Sequence, residues 1–341
     1  MAKTIVALDC MGGDFAPVET VKAAVEALRE NKEVYIKLFG VEEDIKLELD
    51  KYDNLEKIED RFEIIDSPEV IEMDESPVTA IRTKTESSIV KCMYAVRHGE
   101  ADAMVSAGST GANLVGGHVV IGRLKGVERP PLAPFLPTKN GPVLVIDCGA
   151  NVDARPSHLV QFAKMGSIYV QNALGIENPR VGLVNIGAEE EKGNALTKET
   201  FGLLKDVDDI NFVGNVEARD IPDGAVDVAV CDAFVGNVIL KTYEGVGAVL
   251  LSKIKGALMS SLKTKIGALL IKGNLKKTLK DFDIEQYGGA PMLGLKGLLV
   301  KTHGNSKSIE IKNSILQCAM FKEYDINNKI KDSIADTKEE K

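Results

Sequence analysis

Short runs of β-branched and other apolar residues alternate with amphipathic stretches over roughly the first 230 positions. This alternation is the signature of βαβ units around a mostly parallel sheet, and it leaves few other architectures open. The apolar runs predict strands over Thr4–Leu8, Val34–Leu38, Phe62–Ile65, Ala103–Ser106, Val143–Asp147, Val181–Asn185, Asn211–Gly214 and Val226–Val230. Helical spacing recurs between them, at Val18–Arg29, Ser87–Arg97, Asn113–Ile121, Ser157–Ala173 and Asn194–Leu204. The one proline-dense segment, Arg129–Pro142, fits a crossing, a hinge or an edge strand. Beyond Asp232 the pattern changes to a long helical region, Asn237–Lys280, then a Gly-rich return through Gly288–Gly304 and a last helix over Ser306–Tyr324. The expected organisation is one large α/β domain over residues 1–328, including a basic segment at 245–280. Residues 329–341 mix charges without periodicity and read as a frayed tail.

Composition narrows the function classes. At 341 residues, 44% hydrophobic and 27% charged, the chain has the make-up of a folded globular protein. Its 42 basic against 51 acidic residues give a net charge of -9, which argues against a general nucleic-acid binder. The 5 cysteines are odd in number and never paired as CxxC, as expected of reduced thiols in a cytoplasmic protein. The N-terminus runs straight into a strand pattern, and no stretch of 18 uncharged apolar residues occurs, so neither secretion nor membrane spanning is expected.

Several common chemistries are missing their motifs. There is no GK dipeptide and hence no Walker A loop. The one GxG, Gly245 to Gly247, has Leu250 at the third glycine position of a dinucleotide fingerprint. GxSxG and HExxH are absent, no histidine starts an HxxxxD box, and 4 histidines are too sparse for a convincing zinc site.

The residues that do suggest chemistry follow strands, where ligands of parallel α/β sheets bind. Ser106-Ala-Gly108-Ser109-Thr110-Gly111-Ala-Asn113 lies between a strand and a helix. Its glycines allow close backbone approach, its hydroxyls can donate, and the helix N-terminus favours an anion. A phosphate or carboxylate cradle and a plain βα turn with a Ser/Thr cap both fit. Similar segments are Asp9 to Asp14 with Gly13, Asp147 to Asn151, Asn185 to Asn194 with Lys192, and Asp232 to Asn237. Each alone is ordinary turn chemistry, whereas together around one crevice they would form a site. The late return adds Gly289, and Lys301 and His303 alternate so as to share a strand face that could meet a phosphate dianion. Arg82, Lys84, Ser87 and Ser88 at a helix start could reach an anion or serve as caps. His98, His118 and His158 read as structural.

Residues 245–280 carry 8 lysines and no acidic residue in an otherwise acidic chain. Leu250, Leu251, Ile254 and Leu258 recur at helical spacing, flanked by Lys253 and Lys255, and two helices broken near Ser260 and Ser261 fit better than one. Such a pattern suits an anionic bilayer surface, an acidic carrier protein or a dimer interface.

With these blocks in order, from ALDCMGGDFAP through SAGSTGAN, DCGANVD, NIGAEEEKGN and DAFVGNV to GGAPMLGLKG and KTHGNS, the chain resembles the PlsX phosphate acyltransferases of bacterial phospholipid synthesis. The resemblance covers Lys3 to Tyr324. It implies a three-layer α/β/α sandwich similar to phosphotransacetylases and isopropylmalate dehydrogenases, a homodimer, and peripheral attachment to the cytoplasmic membrane. The implied reaction takes an acyl group from acyl carrier protein to inorganic phosphate. Under it, Ser106, Ser109, Thr110 and the Gly108 and Gly111 backbone become candidates for phosphate, helped by Lys192, Lys301 or His303. Asn151, Asn194 and Asn237 would orient the thioester or its oxyanion, with Asp14, Asp147 and Asp232 orienting those donors. No cofactor is required. The aspartates leave room for a Mg²⁺ ion, with nothing in their spacing to support one. Phosphotransacetylase-like use of acyl-coenzyme A and a non-catalytic membrane scaffold are the rival readings.

Overall fold

The computed structural model describes residues 3–281 and 284–339. Its strands are β1 Thr4–Asp9, β2 Val34–Gly40, β3 Phe62–Asp66, β4 Ala103–Ser106, β5 Phe135–Thr138, β6 Gly141–Ile146, β7 Arg180–Asn185, β8 Asn211–Glu217, β9 Val228–Val230, β10 Ala290–Met292 and β11 Leu298–Lys301. The α-helices are α1 Val18–Glu30, α2 Glu42–Leu49, α3 Pro77–Thr83, α4 Ser88–Arg97, α5 Thr110–Gly116, α6 Pro156–Leu174, α7 Ala195–Lys205, α8 Ala233–Leu258, α9 Leu262–Asp281, α10 Ser308–Glu323 and α11 Ile326–Glu339.

The strands form two sheets rather than one, ordered β10-β11-β4-β1-β2-β3 and β5-β6-β9-β7-β8. Every pairing is parallel except those of the edge strands β10 and β5. The sheets meet edge to edge. Ala133 N donates to Pro291 O at 3.0 Å, Leu293 N donates to Pro131 O at 3.1 Å, and Leu132 bridges Met292. The proline-dense segment therefore supplies the antiparallel edge strand β5 and the seam beside it. Pro137, which has no N–H to give, is tolerated at such an edge.

Strand alternation builds three layers. Val6 and Leu8 of β1 face the core that holds α1, α6 and α10, whereas Ala7 between them faces α4. In the second sheet Leu144 and Ile146 face the α6 side, and Val143 and Val145 face Leu240 of α8. One core spans both sheets through Tyr169, which is fully buried and lies with ring centroids 5.3 Å from Phe135 and 5.8 Å from Phe321. Burying such a ring contributes roughly 1.5–3 kcal/mol. Its hydroxyl is satisfied by the Gln317 amide at 2.5 Å.

Two expectations need correction. Residues 329–339 belong to α11 rather than a frayed tail, and residues 340–341 lie outside the described chain. Ile326, Ile330 and Ile334, four apart on one helix face, are buried at 0%, 0% and 1% exposure, and α11 packs on α6. The charges that hid this periodicity lie on the solvent face. The other correction concerns His303: β11 ends at Lys301, so strand alternation does not reach it. The break expected near Ser260 and Ser261 is present between α8 and α9. These two helices form a hairpin whose apolar residues stay exposed, including Val246, Leu250, Leu262, Leu269 and Leu270.

Candidate active site

The carboxyl ends of β1, β4 and β11 lie side by side, so the loops that follow them converge. Asp9, at the end of β1 and 1% exposed, is the hub. It accepts from Ser88 Oγ at 2.6 Å and from Ser106 Oγ at 2.7 Å. Burial raises the pKa of the Asp9 carboxyl, and hydrogen bonds from the two serine hydroxyls oppose the rise. Ser106 Oγ in turn accepts from Gly108 N at 3.0 Å and Asn113 Nδ2 at 3.3 Å, and Ser109 Oγ caps α5 by accepting from Ala112 N. Gly13 has φ of +97°, and a Cβ there would press on Ala107 and Gly304 O, so only glycine lets the first loop nest between the other two. The nesting is fixed by Asp14 N donating to Gly304 O at 2.7 Å.

This wiring revises the roles open to the cradle. The Ser106 hydroxyl is spent inside the protein, on Asp9, whereas Ser109 Oγ accepts in the helix cap and keeps its own proton to donate. Thr110 is exposed at the first turn of α5, and its hydroxyl has no protein partner among the described residues. The Asn113 Oδ1 atom is buried without a hydrogen bond. The loop can thus offer a ligand Thr110 and the N-terminus of α5, on a scaffold held rigid from behind.

Lys301 is 7% exposed, and its ammonium donates to Thr302 O. Burial lowers its pKa to about 8, opposed by Glu310 and Asp9 and helped by Lys241. Glu310 accepts from Ser306 Oγ at 2.5 Å, so it is a held counter-charge beneath this loop. His303 Nε2 meets Glu244 Oε1 of α8 at 2.9 Å, and Lys241 Nζ meets the other oxygen of Glu244 at 2.9 Å. Gly289 plays a packing role instead: a Cβ there would strike the Lys301 backbone, and its N–H is taken by Ser314 Oγ at 2.8 Å.

The second sheet supplies a matching cluster. Asp147, fully buried after β6, accepts from Leu132 N, Ala150 N, Asn151 N and Asn151 Nδ2 at 2.7–3.1 Å. Burial raises its pKa, and these four donors oppose the rise. Asn151 also donates to Pro130 O at 2.9 Å. Asp232 caps α8 through Phe234 N and Val235 N, and Gly236 lets the first turn of α8 sit against Asp147 O. Along α8, Asn237, Lys241 and Glu244 are spaced i, i+4, i+7 and share a face. From Gly236 to Glu244 this helix rises about 12 Å, which sets the span between the two clusters.

The sequence-predicted residues therefore gather in two groups bridged by α8: Gly13, Asp14, Gly108, Thr110, Lys301 and His303 on one side, Asp147, Asn151, Asp232 and Asn237 on the other. Lys192 and Asn194 follow β7, the parallel neighbour of β9. Lys192 is exposed, and the Asn194 side chain caps α7 by accepting from Thr197 N at 2.9 Å. Sequence reasoning missed Lys241, Glu244 and Glu310 as site builders, and it singled out Asp9 and Ser88 without their buried link to each other. For Lys241 and Glu244 a signal existed, the helical spacing from Asn237; for Glu310 none did, because only the tertiary fold brings α10 under β11. Among the described residues no cluster of three His, Cys, Asp or Glu side chains could hold a metal ion.

The arrangement defines a class: an α/β enzyme whose glycine-rich loops and cations meet beyond the carboxyl ends of parallel strands. A phosphotransacetylase from Streptococcus pyogenes shares the fold with a TM-score of 0.60 at 17% identity, covering 94% of this chain and 95% of that one. A branched-chain phosphotransacylase from Enterococcus faecalis does so with a TM-score of 0.51 at 14% identity, over 93% and 98%. The family model described as "Fatty acid synthesis protein" matches residues 4–329. A phosphate acyltransferase from Clostridium novyi is 53% identical over 96% of this chain and 98% of its own length, and one from Clostridium acetobutylicum is 50% identical over 96% and 97%. The chain belongs to this fatty acid synthesis family of phosphate acyltransferases, and it is an acyltransferase.

Proposed function

We propose that this enzyme transfers a long fatty-acyl group from the thioester of acyl carrier protein to inorganic phosphate, giving acyl phosphate and free carrier for phospholipid synthesis. The observation that carries the reading is the α8 face bearing Asn237 and Lys241, which joins the Thr110–Lys301 cluster to the Asp147–Asn151 cluster. Phosphate is substantially dianionic near neutral pH and needs no protein nucleophile. One of its oxygens bonds to the thioester carbonyl carbon, the carbon–sulfur bond breaks, and the departing thiolate is protonated from solvent. What the protein has to supply is alignment and charge. In this reading Thr110, the α5 N-terminus, Lys301 and Lys241 hold the dianion, while Asn237 orients the thioester and Asn151, its amide donors held by Asp147 and Pro130 O, shapes the wall beside it. No cofactor or metal takes part.

The same proposal makes the protein a cytoplasmic homodimer resting on anionic membrane through the α8–α9 hairpin. The exposed Leu250, Leu262, Leu269 and Leu270, with lysines such as Lys253 and Lys255, support it. So do Gly245, Gly256 and Gly267, whose open sides face no other part of the chain.

Incubation with long-chain acyl carrier protein, phosphate and hydroxylamine tests the reaction. Acyl hydroxamate that depends on phosphate is expected. Equal or faster turnover of acyl-coenzyme A would replace the carrier protein as donor.

A further inference from the structure

Beside the anion loops lies a cleft of about 350 Å³, lined by Val78 and Ile81 of α3, Leu114 and Val115 of α5, and Met292 of β10. This volume falls within the range of roughly 300–1,000 Å³ typical of small-molecule sites. Arg82, Arg129 and Asn151 also line it, and no carboxylate does. Both arginines are exposed, and neither guanidinium has a protein partner among the described residues. His118 completes the polar part, its pKa held down by burial and by Arg123 and Arg129.

We infer that this cleft is the seat of a single-chain amphiphile with a phosphate head, the acyl phosphate product, its alkyl chain against α3 and α5 and its head between Arg82 and Arg129. The inference rests on the transfer reaction proposed above. Three features of the lining select this ligand. The apolar side chains are aliphatic, with no Phe, Tyr or Trp to stack a nucleotide base, so a hydrocarbon chain fits better than a coenzyme ring. Two unpaired guanidiniums match the charge of a phosphate and can each donate to it in pairs. The cleft also adjoins the site at two points, through Asn151, which is bound to Asp147, and through α5, whose N-terminus carries Thr110. A product held here would keep its hydrocarbon chain out of water while its head stays at the rim.

The test is calorimetric binding of hexadecylphosphonate, below its micelle concentration, to the full-length protein, with butylphosphonate and inorganic phosphate as controls. The long-chain phosphonate should bind at least about tenfold more tightly than the short one. Arg82→Ala combined with Arg129→Ala should weaken it roughly tenfold or more, and raised salt should weaken it further. Leu114→Trp should fill the cleft and cost the long-chain ligand about tenfold while sparing butylphosphonate. Val119→Trp, at a 61% exposed position on the same wall, provides a second filling variant that the fold tolerates. Equal affinity for the two chain lengths, or affinity unmoved by both kinds of variant, would overturn the inference even in an enzyme that makes acyl phosphate. Variant-sensitive binding in a protein that yields no hydroxamate from any thioester would uphold the cleft and overturn the transfer reaction.

Discussion

Glu244 on α8 and His303 beyond β11 face each other at 2.9 Å, 59 residues apart in the chain, and tie the hairpin helix to the loop that follows the buried Lys301. Burial tends to raise the Glu244 carboxyl, but hydrogen bonds from His303 and Lys241 prevail and hold it below the usual carboxylate range. The side chain of His303 is 46% exposed, so solvent screens the pair and its worth to stability is small, about 0–1 kcal/mol. Its consequence is positional. Glu244→Gln and His303→Ala are each expected to lower kcat several-fold with little change in melting temperature. A double-mutant cycle should show coupling in kcat larger than in stability. Coupling seen only in stability would make the contact a plain surface bridge.

The ammonium of Lys301 has a pKa near 8, lowered first of all by burial. If its charge holds phosphate, turnover should fall as pH rises through about 8, and Lys301→Met should lose both the plateau rate and that descending limb. The stability sign is the opposite. A lysine lowered from 10.5 to about 8 binds fewer protons folded than unfolded between those values, so its contribution to stability rises with pH across that window and is flat below it. Chemical denaturation of wild type and Lys301→Met from pH 7 to 10 separates the two effects. A limb that persists in the variant would assign it to another group.

Ser109 and Thr110 are adjacent yet should respond differently. Ser109→Ala removes a helix cap and should cost roughly 0.5–2 kcal/mol of stability, read as a lower denaturant midpoint. Thr110→Ala leaves stability within about 0.5 kcal/mol and should raise the half-saturating phosphate concentration about tenfold, the loss expected for one hydrogen bond to an anion. A phosphate dependence unchanged in Thr110→Ala would remove this loop from the phosphate site.

Removing the Asp9 hub should be more damaging. Asp9→Ala leaves the Ser88 and Ser106 hydroxyls without their buried acceptor, and each unsatisfied buried donor costs about 1–3 kcal/mol. Asp9→Asn keeps one acceptor and should lose less. A melting temperature unaffected by Asp9→Ala would show that the network is not what holds the three loops together.

For membrane attachment, exposure selects the variants. Leu258 is half-buried in the hairpin, whereas Leu262, Leu269 and Leu270 are 77%, 71% and 81% exposed. Leu269→Glu with Leu270→Glu should abolish sedimentation with anionic vesicles and leave soluble acyl transfer intact, and high salt should weaken the wild-type interaction. A variant that loses catalysis but still sediments would assign the hairpin to the carrier protein or the site.

The alternation of strand and helix patterns by itself determined the parallel α/β class, eight of its strands, and the placing of polar loops at strand ends, because periodicity is a local property of the chain. The order of blocks from ALDCMGGDFAP to KTHGNS likewise carried the family. Only the tertiary structure decided that the strands divide into two sheets seamed at Leu132 and Met292, because strand neighbours are chosen by long-range pairing. It also decided which polar residues are free. Ser106 looks like a ligand in one dimension, but its hydroxyl donates to the buried Asp9. Ile330 and Ile334, read as part of a charged tail, became with Ile326 the buried face of α11. Burial and hydrogen-bond satisfaction are properties of what packs around a residue, and that is settled only when segments far apart in sequence come together.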